Sequence, residues 1–391
     1  MTANDPSRRI RDAAAAIEAR LVAIRRDIHA HPELAFEEVR TAGIVAAELA
    51  RLGIAHRTGL GGTGVLGVIE GGRRGPTLAI RADMDALPIA EETGLPYAST
   101  VAGKMHACGH DIHTATLLGV AEVLKDLAPM LAGRVLLVFQ PAEEVLQGAA
   151  AMIADGAAEG IDLALGFHNQ PDIAVGRFGF APGACLAASD RFDLVIRGKS
   201  GHAAHPHAAV DPIVAAAAFV AQAQTVVSRE IRPIHPAVVT IGSFQGGATY
   251  NIIPERAALK GTVRTLHAEA RELAEAAIRR LATGLETTMR VQCALDYQRM
   301  VPPLVNDERV LRPVLGAVRA QFGELIEEGE PSMGSEDFSA FAALAPAAHL
   351  RIGSGAPGRA DRLHNAQYQP DERCIALGVQ ALSRAAVEML A

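Results

Sequence analysis

The chain has no tryptophan, and phenylalanine and tyrosine bring its aromatic content to only 4 % of 391 residues. That leaves little surface on which bases could stack. Basic residues are outnumbered, 37 Lys and Arg against 44 Asp and Glu, for a formal net charge of −7. The two signs are interspersed with no basic stripe, so nucleic acid is not an expected partner. Cysteine is scarce. Cys108, Cys185, Cys293 and Cys374 lie far apart and form no CxxC, which reads as reduced thiols in a cytoplasmic protein rather than a disulfide framework. No apolar run is long enough to span a bilayer, so no membrane partner is expected. The opening MTANDPSRRIRDAAAAIEARLVAIRRDIHAHPE lacks a signal-peptide core and alternates acids with bases. It reads as an amphipathic helix that stops before Pro32.

What the chain does have is an ordinary globular balance, 49 % apolar and 21 % charged. One core rarely grows beyond ~250–300 residues, so two domains are expected. Short apolar segments bounded by Gly, Pro or charge read as buried strands: Val65–Glu70, Thr77–Ala82, Val135–Gln140, Leu163–Phe167 and His349–Gly353. Helical patterns over Thr41–Leu52, His113–Leu127 and Gly148–Asp155 lie between many of them. Such alternation predicts an α/β domain with a mainly parallel central sheet. The middle of the chain changes rhythm. Arg191–Arg197, Ala237–Phe244, Arg256–Leu266 and Arg290–Tyr297 read as strands, and Asp211–Val227 and Ala268–Thr288 as helices. The order β-α-β-β-α-β is ferredoxin-like. The expected division is a catalytic domain over residues 1–186 and 300–391, interrupted by an inserted domain over 187–299.

Ligands in open α/β sheets sit beyond the carboxyl ends of the strands. Thr77–Ala82 runs into Asp83 and Asp85, Val135–Gln140 into Glu143 and Glu144, and Leu163–Phe167 into His168. Three strands thus direct carboxylates or imidazole to one edge. Near it falls M-H-A-C-G-H-D-I-H-T, Met105–Thr114. Asp111 fits a helix cap. Cys108 and His110 stand one glycine apart, and Gly109 can turn the chain so that both face one point. A thiolate and an imidazole suit zinc and its first-row neighbours. Alone, C-G-H reads more simply as a buried thiol beside a surface histidine. Glu143, Glu144, His168 and His364 at the same predicted edge shift the reading toward a metal site.

The motifs RADMDALPI, HACGHDIHTA, FQPAEE, GFHN, GKSGHAAHPH, YNIIPE, MGSEDF and LHNAQY occur in that order. Together they resemble the peptidase M20 superfamily, specifically its amidohydrolase branch of hippurate hydrolases, N-acyl-amino-acid deacylases (aminoacylases) and plant auxin-conjugate hydrolases. The resemblance runs from RRDIHAHPELAFEE at Arg25–Glu38 to Tyr368. It implies a metallopeptidase-like domain with an inserted domain, and two divalent ions per subunit of zinc, manganese, cobalt or nickel type. Cys108, His110, Glu144, His168 and His364 are implied as ligands, Glu143 as general base, and Asp85 as a carboxylate orienting a ligand. The wider superfamily has a histidine where this chain has Asp83, and an aspartate at the place of His110; this branch brings in Cys108. His202 matches the family's donor to the oxyanion. Asn251 matches its ligand for the substrate carboxylate, beside the simpler reading of a turn residue before Pro254. His106 and His113 receive only supporting roles. The implied activity is hydrolysis of the amide bond of small N-acyl (acetyl, benzoyl or similar aryl-acyl) amino acids. The implied assembly is a homodimer through the inserted domain, in which His202 serves its own or the neighbouring protomer's site. The competing readings are a cysteine hydrolase using Cys108 and His110, a dipeptidase or carboxypeptidase of the same superfamily, and a non-catalytic metal- or peptide-binding protein on this fold.

Overall fold

The computed structural model describes residues 5–391, which form two compact units. The larger comprises the chain through Gly183, Val305–Glu330 and Asp337–Ala391. Its eight-stranded sheet runs in the order Ala55–Leu60, Gly64–Glu70, Ala132–Gln140, Arg73–Asp83, Leu163–Ala174, Ala347–Gly355, Phe178–Phe180, Ile326–Glu328. The centre is parallel: Arg73–Asp83 pairs in parallel with both neighbours, and Leu163–Ala174 with Ala347–Gly355. Antiparallel pairings flank it. The fold is therefore α/β with a mainly parallel central sheet. Central strands covered on both faces need apolar side chains throughout, and Val135–Phe139 is buried at every position.

Helices Pro6–Ala30, His110–Leu127 and Arg373–Met389 pack together on Leu21, Leu117, Val120, Val379 and Leu382. They meet at Gly119, where a Cβ would stand 2.4 Å from Val379 Cγ2 and 2.6 Å from Leu21 Cδ1. Only a residue without a side chain allows that approach. Asp-Pro starts fix two helix ends in the chain: Asp5 Oδ1 accepts from the Ser7 N–H at 3.0 Å, and Asp211 Oδ1 from the Ile213 N–H at 2.9 Å.

The smaller unit comprises Ala184–Leu304 and Pro331–Glu336. Its antiparallel sheet has the order Ala237–Gly246, Arg256–Thr265, Ala188–Arg197, Gln292–Val301. Helices Pro212–Thr225 and Ala268–Met289 complete the β-α-β-β-α-β succession. Alternating burial along Ala188–Arg197 puts Phe192, Leu194 and Ile196 into a core with Phe219, Ile278 and Leu285. A charged group is paired inside this unit's sheet. Asp190 is fully buried and accepts from Arg271 Nη2 at 2.5 Å and from the Tyr297 hydroxyl at 2.9 Å. Among the described residues, no helix is long and apolar enough to cross a membrane.

Candidate metal centre

The site is built in the larger unit, on three neighbouring strand ends and the start of helix His110–Leu127. The loop before that helix turns at Gly109, with φ +86°. A Cβ there would lie 2.3 Å from Asn169 Nδ2, so both the left-handed backbone and the close approach demand glycine. The turn brings buried Cys108 and His110 to the same side. The strand Leu163–Ala174 runs on past Phe167, so His168 projects from within a strand rather than from the loop expected after one. His364 sits in a loop at φ +58°, and its N–H donates to the Ala107 carbonyl at 2.8 Å, which ties that loop to the Cys108 loop.

The Glu143–Glu144 turn also carries backbone strain, with Ala142 at φ +55° and Leu146 at +57°. Glu38 holds it: Oε1 accepts from the Ala142 N–H at 2.9 Å and the Phe36 N–H at 3.0 Å, and Oε2 from the Thr63 hydroxyl at 2.5 Å. Asp85 serves two partners, His110 Nδ1 at 3.2 Å and the Glu144 N–H at 3.0 Å.

These contacts direct the free lone pairs inward. Asp85 occupies His110 Nδ1, leaving Nε2 buried with no hydrogen-bond partner. His168 donates from Nδ1 to the Asn169 carbonyl at 2.6 Å, and its Nε2 faces Cys108 Sγ at 3.4 Å. Glu144 Oε1 is likewise buried without a hydrogen bond, 3.8 Å from His110 Nε2 and 3.5 Å from His364 Nε2. Tetrahedral ligands at ~2.0–2.3 Å from one ion stand about 3.3–3.8 Å apart, which matches Cys108 Sγ with His168 Nε2 at 3.4 Å and Glu144 Oε1 with His364 Nε2 at 3.5 Å. Two groups share the thiol: Cys108 with His110 and His168, and Cys108 with Glu144 and His364. Glu143 clusters with His110 and Glu144. Sulfur, imidazole and carboxylate together fit a divalent first-row ion. A third group, Asp83, His110 and His113, does not, because Asp83 is taken up by Arg81 and His113.

Electrostatics sharpen the picture. Burial drives the Cys108 thiol well above its ordinary pKa, with His110 opposing. Burial pushes Glu144 up to about 7, again against His110. Burial drives His168 well below its usual value, and burial with His110 lowers His364. His110 is raised well above: burial opposes protonation, but Asp83 and Cys108 outweigh it. A bound cation reverses this balance, since it favours thiolate, carboxylate and neutral imidazole.

Several supporting groups carry little signal of their role in the sequence. Arg81 is 1 % exposed and donates to Gln140 Oε1 at 2.7 Å, Asp83 Oδ2 at 2.6 Å and Asp337 Oδ1 at 2.7 Å. A charge inside the apolar run T-L-A-I-R-A was the available hint. Asp111 is not the cap the sequence suggests. The turn at Gly109 starts the helix at His110, and Asp111 falls in its first turn. There it meets Arg25 Nε and His29 Nδ1, each at 2.7 Å. Burial opposes ionisation of Asp111, yet Arg25 and His29 hold its carboxyl far below the usual range. His202 and Asn251 belong to the smaller unit. His202 pairs with Ile252 in a two-stranded ribbon, and the Ala203 N–H donates to the Asn251 carbonyl at 3.1 Å. Both side chains are exposed.

Residues 79–388 match peptidase family M20/M25/M40. An N-acetylcysteine deacetylase of Bacillus subtilis is 39 % identical over 96 % of this chain and 98 % of its own length. Thermostable carboxypeptidase 1 of Saccharolobus solfataricus is 36 % identical over 95 % of this chain and 96 % of its own. A solved Bacillus subtilis protein, described as a dinuclear metal-binding peptidase of the M20 family, superposes with a TM-score of 0.85 at 36 % identity, covering 96 % of this chain and 99 % of that one.

Proposed function

The chain belongs to peptidase family M20/M25/M40, and from that premise we propose that it cleaves the amide bond of small N-acyl amino acids in a metal-dependent hydrolysis. The observation that carries this reading is the pair of donor groups joined at Cys108. Cys108, His110, Glu144, His168 and His364 would hold two divalent ions. Zinc, manganese, cobalt and nickel all suit the donor set. Bound there, such ions supply Lewis acidity to the amide carbonyl and ease deprotonation of a water. Glu143 groups with His110 and Glu144. Its carboxylate takes the proton of the attacking water and passes it to the leaving amine. Asp85 keeps His110 oriented. His202 is assigned the donor role to the developing oxyanion and Asn251 the substrate carboxylate.

A cysteine hydrolase fits less well, because a nucleophilic thiol needs a lowered pKa and burial moves Cys108 the other way. The carboxypeptidase relative supports a second reading, cleavage of peptides. We further assign a homodimer through the smaller unit, whose edge strand Ala237–Gly246 exposes Val238 and Phe244. Four cysteines scattered far apart in the sequence fit a cytoplasmic setting.

The test is a panel of N-acetyl, N-benzoyl and indole-acyl amino acids beside dipeptides, run on metal-loaded protein and its variants. Cys108→Ser and Glu144→Gln should lose metal by elemental analysis. Glu143→Gln should keep it and lose ~10²–10⁴-fold in turnover. Full activity in EDTA, or equal metal loss in both glutamate variants, defeats the assignment. Turnover confined to dipeptides selects the peptidase reading.

A further inference from the structure

His113 has no part in the chemistry above, yet it lies between two of the assigned ligands. Its ring stacks on that of His110 with centroids 5.3 Å apart and planes at 28°, and meets the His168 ring edge-on at 4.6 Å and 75°. Both of its nitrogens are engaged. Nδ1 lies 2.5 Å from Asp83 Oδ1, and the Asn169 backbone N–H reaches Nε2 at 2.9 Å. A backbone amide can only donate, so Nε2 must carry the lone pair and Nδ1 the proton. His113 is thereby held as one neutral tautomer.

Asn169 spreads that constraint. Its carbonyl accepts from His168 Nδ1, and its side-chain Nδ2 donates to the Cys108 carbonyl at 2.7 Å. Its Oδ1 accepts from the Ser354 hydroxyl at 3.2 Å and from the Tyr368 hydroxyl. On the far side Asp83 is fixed by Arg81. One continuous chain of bonds therefore runs from Arg81 through Asp83, His113 and Asn169 to the backbone of Cys108 and the ring of His168.

We infer that His113 is a positioning residue, a tautomer-locked wedge that sets the spacing of Cys108, His110 and His168. The inference rests on the assignment of those three residues as metal ligands. An aromatic ring of similar size would fill the same space. It would leave Asp83 Oδ1 and the Asn169 N–H without their partner, and a buried unsatisfied group is the costly outcome. Asn169 would then be free to shift, and Gly109, packed against it, would shift too.

Cobalt(II) titration of metal-stripped protein reads the geometry directly through its visible ligand-field and thiolate charge-transfer bands. His113→Phe should weaken cobalt binding ~10–100-fold, the range for lost support behind a ligand, and change the band pattern. His113→Gln keeps a donor and an acceptor and should restore most of both. A His113→Phe protein with wild-type bands and affinity overturns the inference, as does a His113→Gln protein as impaired as His113→Phe. A wild-type protein that takes up no cobalt overturns the metal assignment itself and this role with it. Should His113→Phe fail to fold, imidazole nitrogen NMR of the wild type decides, with His113→Gln assigning the signal. A neutral Nδ1–H ring supports the wedge, and an Nε2–H ring refutes it.

Discussion

Arg81→Met is the most informative single change to the larger unit. The guanidinium is 1 % exposed and bridges Asp83 and Asp337, two carboxylates equally shut off from water. Methionine fills the stem of the side chain but removes the charge. Breaking a buried ion pair from one side costs about 3–5 kcal/mol, because the remaining charge has lost its compensation. Two carboxylates are involved, which argues for more. However, Asp83 keeps His113, and Asp337 keeps the Gln140 amide and the Ala149 N–H at 2.9 Å, which argues for less. The single-pair range is therefore the expectation. At about 2 °C per kcal/mol for a unit of this size, the melting temperature falls by roughly 6–10 °C. The assay is calorimetry together with urea unfolding of metal-stripped protein, so that lost metal does not enter. Neutralising the partner in Arg81→Met/Asp337→Asn should recover at least ~1 kcal/mol relative to additivity. A single variant that melts with the wild type, or a double variant that is simply additive, refutes the reasoning.

Burial lowers the pKa of His349 to about 3, with Arg351 and Arg81 adding to it. A depressed folded pKa contributes stability above the unfolded value of ~6.5 and loses it as pH falls toward the folded one, so the wild type should lose about 2 kcal/mol more than His349→Gln between pH 7 and pH 5; parallel urea midpoints for the two proteins would count against it. Val238→Lys on the exposed edge strand should shift the protein from dimer to monomer in sedimentation velocity, and an unchanged dimer would move the interface elsewhere. His202→Ala should keep its metal and lose ~10²–10³-fold in turnover. Activity regained on mixing it with Glu143→Gln would place His202 in the partner's site, and its absence despite subunit exchange would not.

The strands and helices that were legible in the sequence are those with one clear periodicity. Val135–Gln140 and Arg191–Arg197 each lie within a strand of the structure because their apolar patterns fit two covered faces and one covered face respectively. Helix Glu308–Phe322 passed unnoticed, since Pro313 stands inside it, and a proline there ordinarily argues against a helix. In the site, residue types and their predicted sheet edge single out Cys108, His110, Glu143, Glu144, His168 and His364 as candidates, and the choice of Glu144 over Glu143 as a ligand comes from the family resemblance. The groups behind them do not stand out in this way. Glu38, Arg81 and Asn169 act through hydrogen bonds to partners 104, 256 and 61 positions away, and nothing local marks such a pairing. Asp111 fits a cap in sequence for the same reason: its partner Arg25 stands in helix Pro6–Ala30, with another helix and three strands between them.

The parallel pairing of Leu163–Ala174 with Ala347–Gly355 has a consequence for biosynthesis. Nearly all of the smaller unit, Ala184–Leu304, is translated between those two strands. It can finish its own antiparallel sheet while the larger unit still lacks a central strand. Closing so long a loop is slow, because contacts distant in sequence are formed only after their entropy has been lost. Of the donors that share Cys108, His364 emerges last, well after His110, Glu144 and His168. A nascent chain therefore displays a thiol and two imidazoles before the fold that encloses them exists. On the proposed ligand assignment, the donor set is complete only once His364 has been made and those two central strands have paired.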